Sequence, residues 1–135
     1  MRTLLFIIAV ALSAAPSWAD DRYFADVIDL PGVYDVYAEL IRPVAEDNKW
    51  LVDGTLIIGP PVSDFSMNGA SRVLAVGCLR DRCGANMIFL IFDPTKTQLW
   101  GLLRIDGKAI FLGDPDEATR ATLSAASDAN GVDLR

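Results

Sequence analysis

The chain holds two cysteines, Cys78 and Cys83, and they flank the four residues Leu79-Arg80-Asp81-Arg82. This spacing differs from the Cys-x-x-Cys of redox motifs, and two thiolates alone make no zinc site. Histidine is absent. That removes Ser-His-Asp and Cys-His nucleophile chemistry and every His-ligated metal site, and leaves acid–base work to carboxylates, Tyr or Lys. Asp114, Asp116 and Glu117 could offer oxygens to a hard cation. They lack the Asp-x-Asp-x-Asp-Gly ladder of a calcium loop and read instead as the cap of a helix. Trp50 and Trp100 could stack on sugar, but their reading is packing. Gly101, inside an apolar run, points to a bulge or a close backbone approach. No catalytic residue, metal site or cofactor site is expected, and an enzyme is disfavoured.

The whole-chain figures narrow the class further. The 135 residues carry 12 Lys plus Arg against 18 Asp plus Glu, a formal charge of −6. Such acidity argues against nucleic-acid binding, which needs a basic face. The 52% hydrophobic content is too high for disorder. Residues 1–19 read as a secretory signal. Arg2 gives the positive start, Leu4 to Leu12 the apolar core, Pro16 the break, and Ser17 and Ala19 the small residues at −3 and −1 before cleavage. The apolar run is shorter than the roughly 18 to 20 residues a membrane span needs, so no stable membrane anchor is expected. The mature chain, residues 20–135, would be a single domain with a charge of −7, since only Arg2 is lost. Export implies an oxidising compartment, in which an even cysteine count reads as one disulfide.

The elements that must position the cysteine loop follow from periodicity. Val33, Val36, Tyr37, Leu40, Ile41 and Val44 recur at helical spacing, after Pro31-Gly32 and up to a limit at Pro43. Asp20 to Leu30 carries no clear period. Leu56 to Ile58 is a short extended run. Strands are expected near Val62–Met67, Ser71–Gly77, Asn86–Phe92, Thr97–Arg104 and Lys108–Leu112. Asn68-Gly69 and Asp106-Gly107 are hairpin turns that need positive φ. Asp93-Pro94-Thr95-Lys96 is a β-turn. Met87 to Phe92 is apolar without alternation, which marks a strand covered on both faces. A last helix is expected with Asp114 as its cap and Pro115 as its first residue, ending before Asn130-Gly131. The fold class is α+β, an antiparallel sheet of about five strands flanked by N-terminal and C-terminal helices.

The cysteine loop thus sits between two apolar strands. A bridge closing six residues stabilises by roughly 2 kcal/mol, so it shapes the loop more than it holds the fold. On spacing alone it is either a structural clip with a solvated tip or a loop ordered in advance for binding. The segment from Arg72 through Cys78-Leu79-Arg80-Asp81-Arg82-Cys83-Gly84 to Phe92 resembles the core of the inhibitor of vertebrate lysozyme family, Ivy. In that family an apolar strand leads into Cys-Lys-Pro-His-Asp-Cys-Gly and a second apolar strand. Gln98-Leu99-Trp100-Gly101-Leu102 and Trp50-Leu51-Val52-Asp53-Gly54-Thr55 are similar to further family segments, and the resemblance runs from about Lys49 to Leu112.

The resemblance implies an exported, periplasmic protein of a Gram-negative bacterium, from a family often homodimeric. Its disulfide loop plugs the active-site cleft of c-type lysozyme, with a histidine between the catalytic carboxylates. Carried over, Cys78 and Cys83 match the bridge, and Leu79, Arg80, Asp81 and Arg82 match the plug. Asp81 stands at the histidine position. A lone Asp there meets like charge from the target's carboxylates, whereas Arg80 or Arg82 could pair with one of them. Two readings follow. One is an inhibitor or modulator of c-type lysozyme or another peptidoglycan-cleaving glycosidase, such as a lytic transglycosylase. The other is a non-inhibitory periplasmic binding or assembly protein on the same scaffold.

Overall fold

A computed structural model describes residues 22–131. The signal-peptide reading of residues 1–19 and the last residues of the tail lie outside them. Helix α1 spans Phe24–Ile28 and α2 spans Val33–Ala45. Two 3-10 turns, Lys49–Leu51 and Gly54–Leu56, lead into strand β1, Ile57–Ile58. Strands β2 (Ser63–Met67), β3 (Ala70–Leu79), β4 (Asn86–Asp93), β5 (Gln98–Ile105) and β6 (Lys108–Leu112) follow, and α3 spans Glu117–Gly131. The sheet is antiparallel throughout and runs β3-β4-β5-β6, with β1 and β2 both pairing with β3 on its outer edge. This is the expected α+β arrangement, with six strands because the short run at Ile57–Ile58 joins the sheet.

The turns form where the sequence demands left-handed backbone. Asn68 (φ 52°) and Gly69 (φ 80°) join β2 to β3, and Asp106 (φ 48°) and Gly107 (φ 80°) join β5 to β6. Both residues of each pair have positive φ, as a type I′ hairpin requires. Between β4 and β5 the buried Asp93 carboxylate accepts from the N–H groups of Thr95 (2.9 Å) and Lys96 (3.2 Å). Its other oxygen lies 3.4 Å from the Arg72 guanidinium. Thr97 has φ 50° and belongs to the turn, so β5 begins one residue later than expected.

Both faces of the sheet are covered. Phe24, Val33, Tyr37, Leu40, Trp50 and Leu51 pack on Ala75, Ile88, Leu90 and Leu103 on one side. Leu123 of α3 packs with Val76, Phe89, Ile91 and Leu102 on the other. Met87 to Asp93 are all buried, so β4 is the central strand its unbroken apolar run implied. Full burial of each large apolar side chain stabilises by about 1.5–3 kcal/mol. Gly101 keeps register opposite Leu90 with no bulge. A Cβ there would stand 3.1 Å from Leu90 Cδ2 and 3.4 Å from the Phe89 carbonyl oxygen, so the close approach is the right one of its two readings.

Three helix boundaries depart from expectation. Pro43 lies inside α2, which continues to Ala45. A proline so near the end removes one backbone donor but suits helical φ, and Asn48 Nδ2 closes the terminus on the Val44 carbonyl at 2.9 Å. The start of α3 moves from Asp114 to Asp116, whose carboxylate accepts from the Thr119 N–H at 2.8 Å. Gly113 (φ 81°) and Asp114 (φ 51°) are both left-handed, so the chain is still turning there and Pro115 precedes the helix. At its far end α3 runs through Asn130 to Gly131, with Asn130 Nδ2 donating to the Ala126 carbonyl at 2.7 Å. Residues 24–28, unassigned from sequence, form α1. Its Asp26 carboxylate accepts from the Tyr23 N–H at 2.7 Å, and Phe24, Val27 and Ile28 are buried.

Candidate functional site at the cross-linked loop

Strands β3 and β4 pair from Val73↔Phe92 to Cys78↔Met87, so the cysteine loop joins the enclosed central strand β4 to its neighbour β3. Cys78 and Cys83 are disulfide-bonded, with Cα atoms 4.8 Å apart. Inside the bridge the backbone folds back on itself. The Arg82 N–H donates to the Leu79 carbonyl at 2.9 Å, and the Arg82 carbonyl accepts from Ala85 and Asn86, both at 3.0 Å. Asp81 at the apex has φ 69°, a conformation Asp tolerates better than most non-glycine residues.

The root of the loop is fastened on both sides. Toward β1, the Arg80 N–H donates to the Leu56 carbonyl at 2.8 Å. Leu56 is presented by a 3-10 turn capped by Asp53, which accepts from the Thr55 N–H (3.0 Å) and hydroxyl (2.7 Å). These bonds, the hydroxyl's first, hold the Asp53 carboxyl below the usual carboxylate range. Toward α3, Arg104 donates to the Ser127 carbonyl at 2.7 Å and to Met87 Sδ at 2.8 Å, and its guanidinium lies 5.6 Å from the Phe89 ring centroid. Farther back, the buried Tyr37 hydroxyl donates to the Leu51 carbonyl at 2.7 Å. Burial pushes that phenol well above its ordinary pKa, with neighbouring Tyr34 adding to the shift.

Of the four proposed plug residues, Leu79 is half-buried against the core under α1 and α2, while Arg80, Asp81 and Arg82 are exposed. Among the described residues the ion pairs engage Arg22, Arg42, Arg72 and Arg120, and none engages Arg80 or Arg82. The tip therefore carries two available cations on an otherwise acidic chain.

The other candidates resolve into structure. Asp116 caps α3, and the Thr119 N–H and then its hydroxyl lower its pKa. Asp114 is fully exposed, 3.7 Å from Arg120. Among the described residues no group of three or more His, Cys, Asp or Glu could hold a metal ion. Trp50 is buried in the core, and Trp100 lies under the Arg72 guanidinium at 5.9 Å. Sequence reasoning missed an apolar surface beside the loop, where Tyr23, Tyr34, Val52, Leu56 and Ile58 are exposed. They follow no period along the chain, so only the fold gathers them.

The site is thus an antiparallel sheet backed by helices on both faces, with a disulfide-closed loop between β3 and β4. The chain belongs to the Ivy family: the family model described as "Inhibitor of vertebrate lysozyme (Ivy)" matches residues 35–129. A Pseudomonas aeruginosa protein named Inhibitor of vertebrate lysozyme is 28% identical over 102 residues. That match covers 73% of this chain and 64% of the relative, so the chain spans less than two thirds of the relative's length. Among the described residues no helix is long and apolar enough to cross a membrane.

Proposed function

We propose that this protein is exported to the periplasm as a single domain, residues 20–135. There it inhibits a c-type lysozyme or another peptidoglycan-cleaving glycosidase by inserting the Cys78–Cys83 loop into the catalytic cleft. The observation that carries this reading is the loop itself in an Ivy-family chain. It is cross-linked, internally hydrogen-bonded, rooted in the buried β3–β4 pair, and tipped by Arg80 and Arg82 with no ion-pair partner among the described residues. A c-type lysozyme works with two carboxyl groups flanking the scissile bond. A guanidinium delivered on a rigid loop can clamp a carboxylate in a charge-assisted fork. Because the loop is already folded, little ordering cost is left for the moment of binding.

The test is a turbidity assay on a peptidoglycan suspension, with the protein added to a c-type lysozyme and, separately, to a lytic transglycosylase. Arg80→Ala and Arg82→Ala are compared with the unmodified chain. A desolvated Arg–carboxylate pair that loses one partner costs about 2–5 kcal/mol, against about 1 or less for a rim pair. Strong loss from one Arg change supports insertion, and unchanged inhibition from both excludes the arginines as the plug. A second reading, a scaffold that binds without inhibiting, rests on Asp81 standing where the family resemblance places histidine. Inhibition that appears only in Asp81→His would establish that second reading.

A further inference from the structure

The loop tip is small. Arg80, Asp81, Arg82 and Gly84 are its exposed residues, whereas a stable interface of standard size engages roughly 20–30 residues a side. Any partner that takes the loop must therefore rest on the surface around it. The two flanks of the loop differ in chemistry. On the β5–β6 side the hairpin tip is Asp106-Gly107-Lys108, exposed and charged. On the β1 side exposed apolar side chains gather, with Asp29, Asp53 and Thr55 exposed among them. Leu79 pairs with Ile57, and Cys78 pairs with Ile58, which is 40% exposed.

A 240 Å³ hollow joins Ile58 to Tyr23. A second hollow, of 260 Å³, adjoins it through Phe24, Ala25 and Ile57, and reaches Tyr34 and Val52. Tyr34 is 52% and Val52 55% exposed. Exposed apolar side chains around adjoining hollows offer contact points to a partner, and Tyr is a favoured anchor at interface centres.

We propose that this apolar flank, from Ile58 to Tyr34 and Val52, is the second half of the inhibitory surface, and that its occupant is the wall of the same glycosidase cleft. The inference rests on the loop being the plug. Sites that hold small molecules, sugars included, are lined mainly by aromatic and apolar side chains with a few placed polar groups. A cationic tip for the carboxylates beside an apolar wall for the cleft lining matches that composition. The charged Asp106–Lys108 flank does not. The two hollows would receive apolar side chains from the cleft rim, so the contact would act mainly on the dissociation rate.

The test measures inhibition of a c-type lysozyme, with surface-binding kinetics, for the full mature chain, for Ile58→Thr and for Tyr34→Ser/Val52→Ser. These residues are partly exposed and lie outside the β3–β4 root, so melting temperatures should match the unmodified chain. The expected result is about tenfold weaker inhibition for Ile58→Thr and on the order of 100-fold for the double variant, carried by faster dissociation. Unchanged inhibition by both variants, with the loop variants impaired, overturns this inference and leaves the plug standing. An unmodified chain that does not inhibit overturns the plug and this inference together. Sedimentation supplies the remaining arm. A dimer that the double variant dissolves while inhibition is unchanged gives the flank to a second copy and overturns the proposal.

Discussion

Reduction of the Cys78–Cys83 bridge should damage inhibition far more than it damages the fold. The bridge closes six residues, and loop-closure entropy of that size is worth about 2 kcal/mol. For a domain of this length that is a fall of roughly 10 °C in melting temperature. The loop itself has more to lose. Four backbone hydrogen bonds hold it in addition to the bridge, so reduction frees part of the tip. Re-ordering the backbone of only two tip residues on binding costs about 2–4 kcal/mol, which is about 30- to 1000-fold in inhibition constant.

The assay uses the protein with and without dithiothreitol, quenched by alkylation, and measures calorimetric melting and lysozyme inhibition on the same samples. Cys78→Ala/Cys83→Ala should reproduce the reduced protein, with a small extra loss because Cys78 is buried. Equal inhibition by oxidised and reduced protein would refute the claim that the bridge orders the tip for binding. An unchanged melting temperature would refute the entropy argument.

Three further outcomes are expected. Asp93→Ala should cost about 3–5 kcal/mol in chemical denaturation, because it strands the half-buried Arg72 guanidinium and the N–H groups of Thr95 and Lys96. Asp116→Ala should lower the melting temperature near neutral pH and lower it less in acid. The folded-state pKa of Asp116 is depressed by Thr119, so its contribution is present above the unfolded carboxylate pKa and fades as pH falls through the folded one. The net negative charge, −6 over the full sequence, should steer a cationic lysozyme, and stopped-flow association should slow as salt rises and the Debye length shrinks from about 20 to about 6 Å. An on-rate indifferent to salt would remove steering.

What was legible in the sequence was local or strongly periodic. Asn68-Gly69 and Asp106-Gly107 demand left-handed backbone wherever they stand, and both hairpins form there. The helical stripe from Val33 and the unbroken run of β4 needed only periodicity. The misplaced features depend on neighbours. Asp114 and Asp116 are equal as caps on paper, and the left-handed turn at Gly113-Asp114 decides between them. In α1 the apolar positions Phe24, Val27 and Ile28 cover barely one turn, too few to show a period, and the helix is held by packing against the sheet. The loop was legible because its two cysteines bracket it. Its apolar flank was not, because Tyr23, Tyr34, Val52 and Ile58 come from separate elements.

The enclosure of β4 has a consequence for motion. Amides of a strand bonded on both edges and covered on both faces exchange with solvent only when the whole domain opens. Those from Met87 to Phe92 should therefore be the last to take up deuterium. Strand β1, two residues long at the sheet edge, should exchange early through local fraying, and with it the Arg80 N–H that donates to the Leu56 carbonyl beside that strand. The loop is thus hinged asymmetrically. Its β4 limb moves only with global unfolding, while its β1 support can release on its own. In the proposed insertion the tip would have one axis along which to yield, with its attachment through β4 held fixed.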